Sequence, residues 1–235
     1  MDVAELREEI NMKRILKVIG IGVAMGLALL VVQQALHIPE EIFMRYYWIF
    51  AVAVVAAAVL FNHFYHRHFQ KKMKTAALFL QQGKPREYIQ AVEELRQKAK
   101  GRHLQNLFTL NLSAGYCDLK EYKKAIELLK SLENARLYHA FKLVYHINLC
   151  VCYFYDGQTE KAMALYQRSQ KLFASPLSVK LYGGNVAVLD VFALIEQGEF
   201  DQAKELLATA REKWSDSRLQ ADFEYLEEKL SDESN

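Results

Sequence analysis

Two runs of this chain are too long and too apolar for an ordinary water-soluble domain. With histidine counted as neutral, Val18 to Pro39 holds no charged residue, and neither does Tyr46 to His66. A helix rising ~1.5 Å per residue crosses a ~30 Å hydrocarbon core with about 20 residues, and each run is long enough. No such run recurs after Arg67. The pattern predicts a cytosolic N-terminal segment over 1–14 and a transmembrane hairpin over 15–66, with spans at about 15–36 and 46–66. A soluble helical domain follows over 67–230, then a disordered tail over 231–235.

The first run reads as an uncleaved span rather than a signal peptide. The residues before it are mixed in charge (Asp2, Glu5, Glu8 and Glu9 against Arg7, Lys13, Arg14 and Lys17), and no clean A-x-A site follows it. Lys13, Arg14 and Lys17 precede the first run, and Arg67, Lys71, Lys72 and Lys74 follow the second. The connecting residues 37–45 carry one cation, Arg45. The positive-inside rule then places both termini and the soluble domain in the cytosol, in a multi-pass protein of the cell membrane. Tyr46, Tyr47 and Trp48 would mark the outer interface, and Phe61, Phe64 and Tyr65 the inner one.

Gly22 and Gly26 form a GxxxG spacing in the first span, and Ala53 and Ala57 form a comparable small face in the second. Small residues let helices approach closely in lipid, where packing stands in for the hydrophobic effect. Two partners suit these faces: the other span of the same hairpin, or a second copy of the chain in a homodimer.

The soluble part repeats. Tyr88-x-x-Ala91-x-x-x-Leu95 returns as Tyr122-x-x-Ala125-x-x-x-Leu129, as Thr159-x-x-Ala162-x-x-x-Tyr166 and as Phe200-x-x-Ala203-x-x-x-Leu207, with alanines 34, 37 and 41 residues apart. No stretch alternates as a strand does. A repeat of this length in an all-helical chain points to stacked helix pairs. Leu112, Ser113 and Tyr116 before Tyr122, and Leu149, Cys150, Tyr153 and Gly157 before Ala162, add the preceding helix of each pair. On these residues the chain resembles the tetratricopeptide-repeat family over roughly 74–213. It departs from the family pattern at the early tryptophan, where Thr109, His146 and Ala187 stand. It departs again at Val191, where a small residue is expected, and in the first unit, where Lys84-Pro85-Arg86-Glu87 lengthens the turn. The resemblance implies an α-solenoid of about four helix pairs. Leu219, Phe223, Leu226 and Leu230, an apolar stripe at helical spacing, predict a C-terminal capping helix.

Chemistry is sparse. There is no Gly-rich phosphate loop, H-E-x-x-H or G-x-S-x-G, and Gly183-Gly184-Asn185 lies between helical stretches, where it predicts a bend. Three cysteines, Cys117, Cys150 and Cys152, suit neither a disulfide framework nor a zinc cluster. A net charge of +2 and an acidic C-terminus give no reason to expect nucleic acid. His63 and His66 share a helix face and admit a metal or haem, but polar rings at a membrane interface are the commoner explanation. We expect no catalytic residue, metal or cofactor.

What remains is a surface. In the family's solenoids the first helix of each pair lines a peptide-binding groove. Here that face would carry Leu110, Ile147, Val151, Phe154, Tyr155, Val188 and Phe192, with Asn111 and Asn148 at its edge. The lysines with which some members clamp a C-terminal carboxylate are missing. Many of these positions also suit a core. The resulting expectation is a membrane-anchored, non-catalytic adaptor binding a protein or peptide partner, with the bilayer itself as a second contact. The alternative is an accessory subunit of a membrane transporter or enzyme complex that docks through the hairpin.

Overall fold

A computed structural model describes residues 20, 22, 24, 26–215 and 217–233. Residues 1–19 lie outside that set, and with them the N-terminal segment and the start of the first predicted span. The described residues form ten helices and no strand. These are α1 (Gly26–Ala35), α2 (Glu40–Gln81), α3 (Pro85–Lys98), α4 (Arg102–Asp118), α5 (Tyr122–Lys130), α6 (His139–Tyr155), α7 (Thr159–Phe173), α8 (Pro176–Glu196), α9 (Phe200–Lys213) and α10 (Ser217–Glu233). The chain divides into two compact units, Met1–His66 and Arg67–Asn235.

In the first unit the connection between α1 and α2 is shorter than expected. The predicted connecting residues Glu40 to Arg45 are already helical. Pro39 accepts from the Phe43 amide at 3.0 Å, and Glu40 and Glu41 occupy the first turn, where carboxylates complement the helix dipole. The non-helical connection is confined to Leu36–Pro39, with His37 at φ 51°. α2 then runs unbroken for 42 residues. Its most apolar stretch is entirely unburied, with Val55 63% and Phe61 74% exposed. By length and composition two described helices suffice to cross a membrane, α2 and α8. They differ in packing, because half of the apolar stretch of α8 is buried, Val188, Leu189, Val191 and Phe192 included.

The second unit is built on one turn used four times. Gly83, Lys120, Gly157 and Gly198 all adopt positive φ, between 59° and 78°. Immediately after each, an amide reaches back to close the preceding helix: Lys84 to the Phe79 carbonyl at 2.8 Å, and Glu121 to Tyr116, Gln158 to Tyr153 and Glu199 to Leu194, each at 2.9 Å. This is the Schellman closure, which satisfies carbonyls that the helix end leaves open. The next helix begins two residues after the turn residue every time. The spacing between turns is 37, 37 and 41 residues.

That spacing corrects the register read from the first unit. Pro85, which supplies no amide and has a helical φ, starts α3 at the place taken by Tyr122, Thr159 and Phe200. Tyr88, not Ala91, therefore stands where Ala125, Ala162 and Ala203 stand. Those alanines are 0% exposed and Tyr88 is 2%. The ring fits because Gly115 faces it: a Cβ added there would lie 2.8 Å from Tyr88 Cδ1 and 2.8 Å from Ile89 Cγ1. In the leading helices, Ala76, Ser113, Cys150 and Val191 are the matching buried positions. At Cys150 the thiol reaches the Ala162 carbonyl on α7 at 3.4 Å, so a small side chain there brings paired helices together.

The extra four residues of the last interval lie in α8, 21 residues long against 17 in α4 and α6. They are accommodated by a kink at Tyr182 (φ −134°, ψ 18°). Gly183 and Gly184 follow it, and the indole of Trp214 lies where their side chains would be, 2.9 Å from a Cβ at Gly183. The predicted bend is thus a kink within a helix. α10 buries Phe223, Leu226 and Leu230, and Leu219 lies against Gly184. It also runs through Ser231–Glu233, which were expected in the disordered tail; Ser231 Oγ donates to the Glu227 carbonyl at 2.9 Å. Asn235 and Ser234 lie outside the described residues.

Candidate functional site

The face predicted to hold a partner is formed by α4, α6 and α8, and the structure uses most of it internally. Leu110, Ile147 and Val188 stand at equivalent positions and are each 2% exposed; Phe154 and Phe192 are 5% and 0%. These five are core, not groove. The physical reason is that α6 packs on α4, and α8 on both α6 and α7, so an apolar side chain that would line a groove in an open stack is covered by the next pair. Phe154 and Phe192 stack nearly parallel, at 4.7 Å between centroids and 5° between planes.

Tyr155, Val151, Asn111 and Asn148 remain partly exposed. Asn111 is committed to structure: its Nδ2 donates to the Leu107 carbonyl at 2.7 Å, and its Oδ1 accepts from the Tyr88 hydroxyl at 3.1 Å. Asn148, at the equivalent position on α6, makes no side-chain hydrogen bond among the described residues.

Tyr155 is held by the C-terminal helix. Its hydroxyl donates to Asp222 on α10 in a short hydrogen bond, and its ring lies 4.8 Å from Tyr225. On its other side it stacks on Tyr122 of α5, at 5.1 Å and 9°, and meets Phe192 edge-on at 5.3 Å. Burial, then the Asp222 carboxylate, raises the Tyr155 hydroxyl far above the usual tyrosine range. Burial, with Cys117 and Asp222 adding to it, pushes Tyr122 up to about 12. Lys229 closes the cluster, donating to Glu196 at 2.5 Å with its ammonium 5.9 Å from the Phe192 ring centre. The C-terminal end of the predicted groove is therefore filled by Asp222, Tyr225 and Lys229 of the chain itself. Sequence patterning marked the buried stripe of α10 but not this polar face, because the partner of Asp222 lies 67 positions away.

Other candidate groups are placed as follows. His146 shares a 2.7 Å hydrogen bond with Ser169 of α7; burial first, then Lys142 and Arg168, lowers its pKa to about 4. Tyr166 donates to Asp190 at 2.6 Å, a carboxylate whose pKa burial raises. Cys150 is pushed up to about 12 by burial, and Cys152 is raised further by its hydrogen bond to Cys117 on α4. No cluster of three histidine, cysteine or acidic side chains able to hold a metal occurs among the described residues. His63 is exposed and His66 half-buried on α2. In the first unit, a Cβ at Gly22 or Gly26 would meet nothing within 4 Å, and Ala53 and Ala57 are exposed. The two small faces thus do not enclose one another.

Compared with models of known protein families, with curated proteins and with solved structures, the chain matches none.

Proposed function

We propose that this chain is a membrane-anchored, non-catalytic adaptor: a transmembrane hairpin that carries a tetratricopeptide-like helical solenoid on the cytosolic side, where the solenoid binds a protein or peptide partner. The observation that carries this reading is α2. Its first part exposes a long apolar surface of the kind that lipid covers, whereas the same helix from Arg67 onward is amphipathic and buries Phe69 and Ala76. Four identical Schellman turns between paired helices support the solenoid reading. The cations flanking the apolar runs support the cytosolic orientation.

The face left for a partner is smaller than the sequence implied. It centres on Asn148 and Val151 of α6, since α10 fills the end beside Tyr155. A photo-crosslinking residue placed at Asn148 or Val151 in intact membranes should capture one and the same protein, and Val151→Glu should abolish capture while circular dichroism is unchanged. Capture that is indifferent to Val151→Glu would sink this assignment.

One observation favours the second reading, an accessory subunit docking through its hairpin. The Gly22/Gly26 and Ala53/Ala57 faces are open, as a helix of another chain requires. Under that reading Gly22→Leu and Gly26→Leu, not Val151→Glu, change what co-purifies. The same pair of substitutions tests the homodimer.

A further inference from the structure

The two edges of the repeat domain differ in charge, and helix stability explains only part of the difference. One edge carries the four Schellman turns. The other carries the turns that lead from α3 to α4, from α5 to α6 and from α7 to α8, and there the leading helices begin.

A helix N-terminus is stabilised by carboxylates and a C-terminus by cations. On the Schellman edge, α3, α7 and α9 begin with Glu87, Glu160 and Asp201, as the rule expects. On the opposite edge, α4, α6 and α8 have no acidic residue in their first turns. Exposed cations occur on both edges, Lys84, Lys120 and Lys161 among them on the Schellman edge, but on the opposite edge few acids accompany them, and those at helix C-termini stand there as the rule expects. The last turns of α3, α5, α7 and α9 end on this edge with Lys98, Lys130, Lys171 and Lys213 among them, whereas α4, α6 and α8 end on the other edge with none. Lys100, Arg102, Arg136 and Lys180 add to this edge and are all exposed. In its three connecting turns Glu133 is the acidic residue.

Exposed apolar side chains gather on the same edge. Tyr138, at the start of α6, is 68% exposed, and Val179 and Leu181, in the segment of α8 before its kink, are 64% and 56%. The kink at Tyr182 sets that leading segment, residues 176–181, apart from the core run of the helix. His103 lies 5.0 Å from Tyr138 and 5.4 Å from Phe141, which brings the beginnings of α4 and α6 together.

We infer that this edge is a lipid-contacting surface: it docks on the headgroup layer of an anionic bilayer, with its lysines and arginines on the acidic lipids and Tyr138, Val179 and Leu181 in the interface. The combination of clustered cations with protruding aromatic and aliphatic side chains suits that occupant, since cations near an anionic leaflet and apolar groups at the acyl boundary add their affinities. The inference rests on the membrane-anchored reading above, and the test separates the two.

The full chain, with Cys117→Ser, is reconstituted in nanodiscs of phosphatidylcholine alone or with phosphatidylserine. Spin labels are placed singly at Leu181→Cys, at Gln158→Cys on the Schellman edge, and at Val55→Cys on α2. Collision with oxygen reports lipid, and collision with a water-soluble nickel chelate reports water. The expected result is lipid exposure at 55 in both discs, water at 158 in both, and a shift of 181 from water towards lipid when phosphatidylserine is present. Replacing Lys100, Arg102 and Lys180 by glutamate should return 181 to water, each lost cation lowering the docked-to-undocked ratio about fivefold. If 55 is in lipid and 181 stays in water in both discs, the edge does not dock and the inference falls alone. If 55 is in water, the anchored reading falls. Docking that survives the triple replacement would overturn the electrostatic basis of the proposal.

Discussion

Gly115 should behave as the counterpart of Tyr88, and a double-mutant cycle measures that directly. The second helices of three units carry Ala125, Ala162 or Ala203 at a fully buried position, while α3 carries Tyr88. Gly115→Ala gains about 1 kcal/mol of helix propensity. It also places a methyl 2.8 Å from two side-chain atoms, one on a ring that is 2% exposed and anchored through its hydroxyl to Asn111. Overpacking of that kind costs about 1–3 kcal/mol, so the net effect runs from about zero to about 2 kcal/mol destabilising. Tyr88→Ala alone restores the residue of the other units but leaves a cavity, at about 3–5 kcal/mol. In that background Gly115→Ala loses its obstacle and fills part of the hole, so it should become neutral or stabilising by up to about 1 kcal/mol. The coupling is then about 1–3 kcal/mol. Denaturant unfolding of the four proteins in detergent, followed by far-UV circular dichroism, gives each value. Additive effects would refute the claim that the glycine exists to admit the tyrosine.

Two further predictions concern the turns and pH. Lys120 holds φ 59° where the other three turns use glycine, so Lys120→Gly should stabilise the fold or leave it unchanged, while Gly157→Ala should cost about 1 kcal/mol, as thermal melts will show. His146 has a native pKa of about 4, below its unfolded value of 6.5, because the folded site excludes the proton. Its contribution is complete above pH 6.5 and is lost as pH falls from there towards 4. For a half-buried ring the loss is on the order of 1–2 kcal/mol. Subtracting the pH–stability curve of His146→Gln should isolate it, and parallel curves would show that the site does not exclude the proton.

The all-helical character and the places of the turns were legible because both depend on local chemistry. Gly157 and Gly198 mark a left-handed residue, and the buried Ala125, Ala162 and Ala203 fall in phase with the turns. The first unit misled because Tyr88-x-x-Ala91 matches the repeat as text, whereas Pro85 fixes where the helix starts and so shifts the true position by three. The site was less legible. Periodicity identifies the apolar face at Ile147, Phe154 and Phe192 but does not say whether it meets a partner or the next helix pair. Tyr155 could not be assigned without α10, since Asp222 reaches it only once the three intervening helices have packed.

The proposed function requires that the repeat domain lie on the cytosolic side of a membrane. Protease added to sealed cells should leave 74–235 intact and digest it only after the membrane is opened, with the chain remaining in the membrane fraction under alkaline wash. Digestion of that region in sealed cells would contradict the orientation, and release by the wash would contradict the anchor.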